Sequence, residues 1–316
     1  MQNSKSTDER AAQPGEREPV DPTIAAELVR RACAKRRSLF DSGVETVRLF
    51  DRGGDGIPRL VIEQFGAAVR IAGGPEHAAL LGALREALGE PEALFWRFGH
   101  EITGGPDGDD GRRVVSENGL RFEVRLVPDR HTGLFLEARE LRRWVRENSS
   151  GRRVLNLFSY TCAFGVAAAA GGARSTTNVD AVPSALTRGR RNYELNDLRF
   201  DGRTFWKSDV KDALSAVRAQ GGSFDGIVLH PPPVTSGGGR GRRIDPVRDL
   251  EAMTDACRAV LAPDGWLLLA WTSSQLTESE LCSAVGLGAP FWRGGAGEDF
   301  VKTEDDPGLR AFAFRR

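Results

Sequence analysis

The sequence predicts an α/β protein, a doubly wound and largely parallel sheet with helices on both faces, preceded by a smaller β-rich (α+β) unit. Three observations carry this. From about residue 131 onward, short apolar runs alternate with helical stretches, the pattern of βαβ units. Between about 44 and 127 strand-like runs are instead separated by Gly/Asp turns, and Asn118-Gly119 sits between two alternating runs as a hairpin signal. A chain of 316 residues, 40% hydrophobic and 28% charged, has apolar material for a substantial core.

In order along the chain, residues 1–21 are polar, charged and proline-containing and read as a disordered leader. Residues 22–128 form the first structured unit, opening on a helix over 22–40 that spaces Ile24, Leu28 and Cys33 among charges. Strand-like runs at 44–50, 59–63 and 67–72 form a small antiparallel unit built on hairpins; 77–89 has helical spacing, and ALFWRF reads as a further strand. Residues 104–113 are a polar glycine-rich loop, and 114–127 the Asn-Gly hairpin. Residues 129–316 form the second domain. It opens on an amphipathic helix in GLFLEARELRRWVREN; strands at VLNLF (154–158), STTNVD, TFWKSD, GIVLH (226–230) and GWLLLAWT then alternate with helices. FVKTEDDPGLRAFAFRR closes the chain as an antiparallel pair, which makes seven strands.

Composition bounds the function. No run approaches the ~20 apolar residues of a membrane span, and the N-terminus lacks a signal-peptide core. Cys33, Cys162, Cys257 and Cys282 are scattered without CxxC spacing, which argues for a reducing compartment, the cytoplasm, and against a zinc site. Lys plus Arg equals Asp plus Glu at 44 each. A nucleic-acid partner must then rely on local patches, such as Arg30 to Arg37 or Arg240, Arg242 and Arg243; a solvated face explains each equally well.

In doubly wound sheets ligands sit beyond the carboxyl ends of the strands. The first strand here runs into Asn156, Phe158, Ser159, Tyr160, Thr161 and Cys162, where backbone amides and small residues can meet a ligand carboxylate. The second ends in Asp180, at the distance where an acidic group holds ribose hydroxyls. The third ends in Ser208-Asp209, a carboxylate able to accept from an adenine amine. The fourth ends in His230-Pro231-Pro232-Pro233, a loop rigidified by proline. Each acidic residue alone is more often a cap; four such ends in order are hard to explain that way. GxGxxG and Walker A loops are absent, which disfavours dinucleotides and nucleoside triphosphates.

These strings resemble the bacterial 23S-rRNA methyltransferases of the cytosine-5 and guanine-N7 large-subunit type. The resemblance rests on GDGIPRLVIEQFG, ENGLRFEV, HTGLFLEARELR, VLNLFSYTCAFGVAAA, NYELNDL and FDGIVLHPPPV, in matching order from about residue 44 to the end. It implies a Rossmann-like, seven-stranded methyltransferase sheet, S-adenosyl-L-methionine as cofactor, and a small β-rich domain that helps hold RNA, without the PUA module of many members. It implies a cofactor pocket at Thr132, Phe135, Arg139, Asn156, Phe158, Tyr160 and Thr161, with Asp180 on the ribose, Asp209 at the adenine, and His230 with Pro231 and Pro232 at the reacting centre. It implies rRNA as acceptor. A small-molecule or peptide acceptor, or a silent S-adenosylmethionine-binding protein, are the competing readings, and the oligomeric state, a homodimer included, stays open.

Three departures matter. Cys162 stands where the family has glycine, so the backbone is expected either to avoid positive φ or to be reshaped, with the thiol as a buried filler. His230 replaces an acidic residue and can act as a neutral acceptor, a base or a cation. Ser273, in WTSSQ, stands where the cytosine-5 subgroup has its nucleophilic cysteine, and a serine lacks the thiolate that attacks a pyrimidine. Trp206, Trp271 and Trp292 read as core residues rather than base-stacking platforms, and no metal is expected.

Overall fold

The computed structural model describes residues 20–41, 44–100, 102–127, 131–232, 245–304 and 306–316. Residues 1–19 of the expected leader, Pro233 and the basic segment 236–243 lie outside them.

The first unit begins with α1 (Pro22–Lys35), capped by Asp21, whose carboxylate accepts from the amides of Thr23 and Ile24. The short α2 (Arg37–Asp41) follows. Strands β1 (Thr46–Asp51), β2 (Val61–Phe65), β3 (Ala68–Gly73), β4 (Ala93–Phe98) and β5 (Ile102–Gly104) form one sheet in chain order, with α3 (Leu81–Ala87) between β3 and β4. Ala25, Val29 and Ala32 of α1 share a core with Val47, Phe50, Ile62 and Ile71 of the sheet. The expected antiparallel unit is observed, β1 with β2 and β2 with β3, and β4 joins it parallel to β3. The reason is the crossover through α3, which returns the chain to the sheet in the same direction, something no hairpin can do. The hairpin of β6 (Arg112–Glu117) and β7 (Leu120–Arg125) stands apart as a two-stranded ribbon. Its turn has φ of 51° at Asn118 and 73° at Gly119, the left-handed pair that matches strand twist.

The larger sheet follows α4 (Arg139–Glu147). Its parts are β8 (Arg153–Leu157), α5 (Ala163–Ala170), β9 (Ser175–Asp180), α6 (Pro183–Leu195), β10 (Phe205–Lys207), α7 (Val210–Ala219), β11 (Phe224–Leu229), α8 (Pro246–Val260), β12 (Leu261–Trp271), α9 (Glu278–Val285), β13 (Trp292–Gly295) and β14 (Arg310–Arg315). Spatial order is β10-β9-β8-β11-β12-β14-β13, parallel except that β14 runs against both neighbours. The seven strands and doubly wound order match the expected fold. The closing antiparallel pair is β13 with β14, however, and 300–309 contains no strand among the described residues. The glycines and short apolar residues of 292–297 hid β13 from periodicity. Small residues let α5 lie close on the sheet: a Cβ at Gly165 would stand 2.0 Å from Asn178 Oδ1.

Strand order reverses between β8 and β11, which places a crevice at their carboxyl ends. Buried charges tie the smaller units to the larger sheet. Arg142 of α4 donates twice to Glu117 at the end of β6, at 2.6 and 2.7 Å. Arg139 donates to the wholly buried Asp299 at 2.7 Å and to the Thr46 carbonyl at 2.8 Å. Removing one partner of such a pair strands a buried charge, which costs about 3–5 kcal/mol. Glu117→Ala is therefore expected to lower unfolding stability in urea by that amount; a loss below about 1 kcal/mol would show that the hairpin clamp is not under strain of desolvation.

Candidate active site

The loop after β8 carries the site. Phe158, Tyr160 and Cys162 have φ of 54°, 46° and 60°, three left-handed non-glycine residues within five positions. Each costs on the order of 1–2 kcal/mol, so the surroundings must impose the shape. The restraints are visible. Ser159 N donates to the Val179 carbonyl and Cys162 N to the Ser159 carbonyl, at 3.0 and 2.7 Å. Tyr160 N donates to Asp180 Oδ2 at 2.7 Å, and Thr161 Oγ1 to the Gly133 carbonyl at 2.5 Å.

Cys162 thus corrects both alternatives read from the sequence: the loop keeps its left-handed turn, and the cysteine occupies it. Its side chain is fully buried. Room comes from Gly189 on α6, where a Cβ would sit 2.3 Å from the Cys162 sulfur. Burial raises its thiol pKa, so the sulfur is a protonated filler.

Asp180 ends β9 beside this loop. Each carboxylate oxygen accepts one backbone amide, Oδ2 from Tyr160 and Oδ1 from Val182 at 2.9 Å, which leaves each a further lone pair for a hydroxyl. Burial raises its pKa, with the backbone amides of Val182, Tyr160 and Ala181 opposing. The amide of Ser208 donates to the Asp180 carbonyl at 3.1 Å, which brings Asp209 to the same edge. Asp209 caps α7 through the Lys211 amide at 2.8 Å.

Facing the loop is the segment before α4. Phe135 stands with its ring 5.5 Å from Tyr160 and 6.4 Å from His230, and Phe164 is edge-on to His230 at 5.9 Å. Thr132 is buried, its hydroxyl donating to the Leu134 carbonyl at 3.1 Å and its own carbonyl accepting from Arg188 at 2.7 Å. His230 is therefore held between two aromatic rings at the end of β11. Burial, together with the nearby Arg142 cation, lowers its pKa to about 4, so the imidazole is neutral at pH 7. Pro231 behind it is buried and Pro232 half-buried.

Thr132, Phe135, Phe158, Tyr160, Thr161, Asp180, Asp209, His230, Pro231 and Pro232 thus converge on the carboxyl ends of β8 to β11. Two residues do not share that placement. Asn156 lies beneath α5, donating to Asn178 Oδ1 at 2.9 Å, with its own Oδ1 buried and unpartnered among the described residues. The Arg139 guanidinium is occupied by Asp299 and Thr46. Arg188 was not legible as a site residue: its guanidinium lies 6.0 Å from the Tyr160 ring and ties Thr132 to α6, a contact across 56 residues. Trp271 is buried, and Trp292 packs on Trp144 at 5.1 Å, both as core.

A seven-stranded sheet of this order, with an acidic residue ending the second strand and a proline-bearing loop ending the fourth, defines a class I methyltransferase. The chain belongs to the S-adenosylmethionine-dependent methyltransferase family, whose sequence model matches residues 107–274. It is 39% identical over 163 residues to the ribosomal RNA large subunit methyltransferase K of Neisseria meningitidis, covering 52% of this chain and 46% of that one. With the ribosomal RNA large subunit methyltransferase of Deinococcus radiodurans it shares 30% identity over 278 residues, 80% of this chain and 67% of the relative. The chain spans 22% of the methyltransferase K/L of Hahella chejuensis, with 40% identity over 162 residues. Among solved structures, a candidate methyltransferase from Streptococcus mutans superposes with a TM-score of 0.85 over 95% of this chain and 83% of that one, at 22% identity, a likeness of fold.

His230 gives a pH prediction. The unfolded chain takes a proton on this residue near 6.5, whereas the folded chain refuses it until about 4. Its contribution to stability is full above pH 6.5 and is lost as pH falls toward 4. Between pH 7 and 4.5 the wild type should lose about 2 kcal/mol more than His230→Gln in urea melts; parallel pH profiles would refute the buried neutral imidazole.

Proposed function

We propose that this chain transfers a methyl group from S-adenosylmethionine to a nitrogen, or another atom that is not a pyrimidine C5, of RNA, with rRNA as the acceptor. The observation that carries the reading is the convergence of the strained 158–162 loop, Asp180 and a neutral His230 at one crevice. The names of the relatives support the RNA acceptor. The cytoplasm, where rRNA is modified, is the matching compartment; among the described residues no helix is long and apolar enough to cross a membrane. The domain division carries into this proposal, with 22–128 presenting RNA and 129–316 holding the cofactor.

The residues present fit such a cofactor. Asp180 retains acceptor capacity toward a ribose diol, Asp209 lies one strand further for the adenine, and Phe158, Tyr160 and Thr161 offer a backbone turn shaped around a ligand. Thr132 and Phe135 close the opposite wall. Asn156 and Arg139 act on this pocket from behind, the first under α5 and the second through the position of α4. When bound, S-adenosylmethionine supplies an electrophilic methyl on a sulfonium. The protein aligns the acceptor lone pair with it and excludes water, which together account for several kcal/mol of barrier. At a pKa of about 4, His230 is too weak a base to store the acceptor's proton at pH 7. It can accept a hydrogen bond from an acceptor N–H and so turn the lone pair toward the methyl, while Pro231 and Pro232 hold it there.

A cysteine-based C5 mechanism has no support. Ser273 is engaged locally, its oxygen accepting from the Gln275 amide at 3.2 Å. Cys257 is buried with its thiol pushed up to about 12.

Calorimetric titration with S-adenosylmethionine and S-adenosylhomocysteine tests the reading. Micromolar binding is expected, weakened in Asp180→Ala by roughly 1–3 kcal/mol through lost charged hydrogen bonds. No binding to either ligand would remove the methyltransferase reading, and unchanged affinity in Asp180→Ala would remove the ribose role. Ser273→Ala should transfer radiolabelled methyl into undermethylated rRNA at nearly the wild-type rate; a dead variant would restore a role for that loop in the chemistry.

A further inference from the structure

A cleft of about 1150 Å³ lies at the opposite end of the larger sheet from the candidate cofactor site. Arg153, Ser175, Phe205 and Phe224, the first residues of β8, β9, β10 and β11, all line it, so it opens at the amino ends of those strands. Small-molecule sites run to roughly 300–1,000 Å³; a cleft of this size suits a length of polymer. Its charge is one-sided once partners are counted. Arg153 is held by Asp225 at 2.8 Å, and Asp197 stands 3.9 Å from Arg121. Arg174, Arg199 and Arg203 are exposed and make no ion pair among the described residues. Against them stands Asp201, whose carboxylate accepts from the Arg203 amide at 2.8 Å and from the Thr204 hydroxyl at 3.2 Å. Arg174 comes from the turn between α5 and β9, and Arg199 and Arg203 from the turn between α6 and β10, so cations of two separate turns meet in one cleft. The chain as a whole is formally neutral, which makes this surplus local.

Aromatic surface shares the cleft. Phe200, Phe205 and Trp206 line it half-buried. The Arg190 guanidinium stands 5.1 Å from the rings of both Phe200 and Phe205, and those rings meet edge to face at 5.4 Å, which fixes the pair. Trp206, read from the sequence as a core residue, packs on the core formed by Leu155, Val210 and Ile227 and still lines the cleft. A positively charged groove with aromatic faces in it is how single-stranded nucleic acid is held without regard to sequence, phosphates on the cations and bases on the rings.

We propose that this cleft binds a single-stranded stretch of the RNA acceptor other than the one that meets the methyl group, with phosphates at Arg174, Arg199 and Arg203 and bases against Phe200 and Trp206. The five residues of β8 separate the cleft from the cofactor end by about 16 Å, at ~3.3 Å per residue, a gap that a few nucleotides of one strand cover. The inference rests on the RNA reading above and adds to it a second, sequence-independent contact at the far end of the sheet.

Fluorescence anisotropy of the full chain with a labelled 20-nucleotide single-stranded RNA, repeated over a series of salt concentrations, tests it. Arg174→Ala/Arg199→Ala/Arg203→Ala is expected to weaken binding about fivefold or more and to flatten the slope of log affinity against log salt by about 2, at ~0.7 per phosphate contact. Arg174→Lys/Arg199→Lys/Arg203→Lys should keep the wild-type slope, because a point charge also serves a phosphate. Phe200→Leu, which keeps apolar bulk and loses the ring face, should weaken binding severalfold and leave the slope alone. An unchanged slope in the alanine variant, a slope as flat in the lysine variant as in the alanine one, or wild-type affinity in Phe200→Leu each overturns the proposal. Displacement of the labelled RNA by a polyglutamate peptide as readily as by unlabelled RNA would mark the cleft as a site for acidic protein and overturn it too. Calorimetry of the alanine variant with S-adenosylhomocysteine should give wild-type affinity, and a lost one would mean that the substitutions act through the cofactor site. A wild type that binds no RNA would remove the RNA reading together with the cleft, whereas RNA binding that survives intact in the alanine variant would keep that reading and remove the cleft alone.

Discussion

Asp299 is the constraint on which the rest of the molecule leans. It lies in no strand or helix and is wholly buried, yet three elements meet on it. Its carboxylate accepts from the Arg139 guanidinium and from the Arg48 amide at 3.0 Å, and its carbonyl accepts from Arg36 Nε and Nη2 at 3.0 and 2.9 Å. Arg36 in turn reaches Asp55 at 2.7 Å, which also accepts the Asp51 amide. Buried charges of this kind survive only when all are paired, because the desolvation of any one left alone costs several kcal/mol. The network therefore fixes β1 against α4 in one arrangement.

The candidate site works on a similar principle at shorter range. Three left-handed residues are tolerated after β8 because Asp180, Val179 and Gly133 each hold part of the loop. The cysteine at 162 is accommodated by the missing side chain at 189, so the two positions form one packing unit across 27 residues. His230 obeys the same logic in its protonation: between two aromatic rings and near Arg142, the neutral form is the one that fits. A carboxylate there would have met a different field, and the exchange alters what the end of β11 can do for an acceptor.

What could be read from the chain beforehand follows a physical line. Period and turn chemistry are local, so the strands VLNLF, STTNVD and GIVLH, and the Asn118-Gly119 turn, stood within a residue or two of their observed places. The strand-end rule then pointed to Phe158, Tyr160, Asp180 and His230, since those positions follow from strand limits alone. The direction in which β4 joins β3 was not legible, because it is settled by a crossover helix rather than by the strands. The left-handed Cys162 was missed because its steric relief comes from Gly189, which only the fold brings near. Arg139 looked like a ligand contact and proved to be paired with Asp299, 160 positions away.

The placement of Asp299 has a consequence for biosynthesis. The amide of Arg48 and the guanidinium of Arg36 must wait for a partner 251 and 263 residues further along. At the ~5–20 residues per second of translation, that is a delay of about ten seconds to a minute. During it the first sheet can form its ladders but not satisfy its buried polar groups, and it stays open to solvent along the face that later meets α4. The nascent chain thus carries an unfinished, arginine-bearing surface out of the ribosome until the segment around Asp299 reaches it.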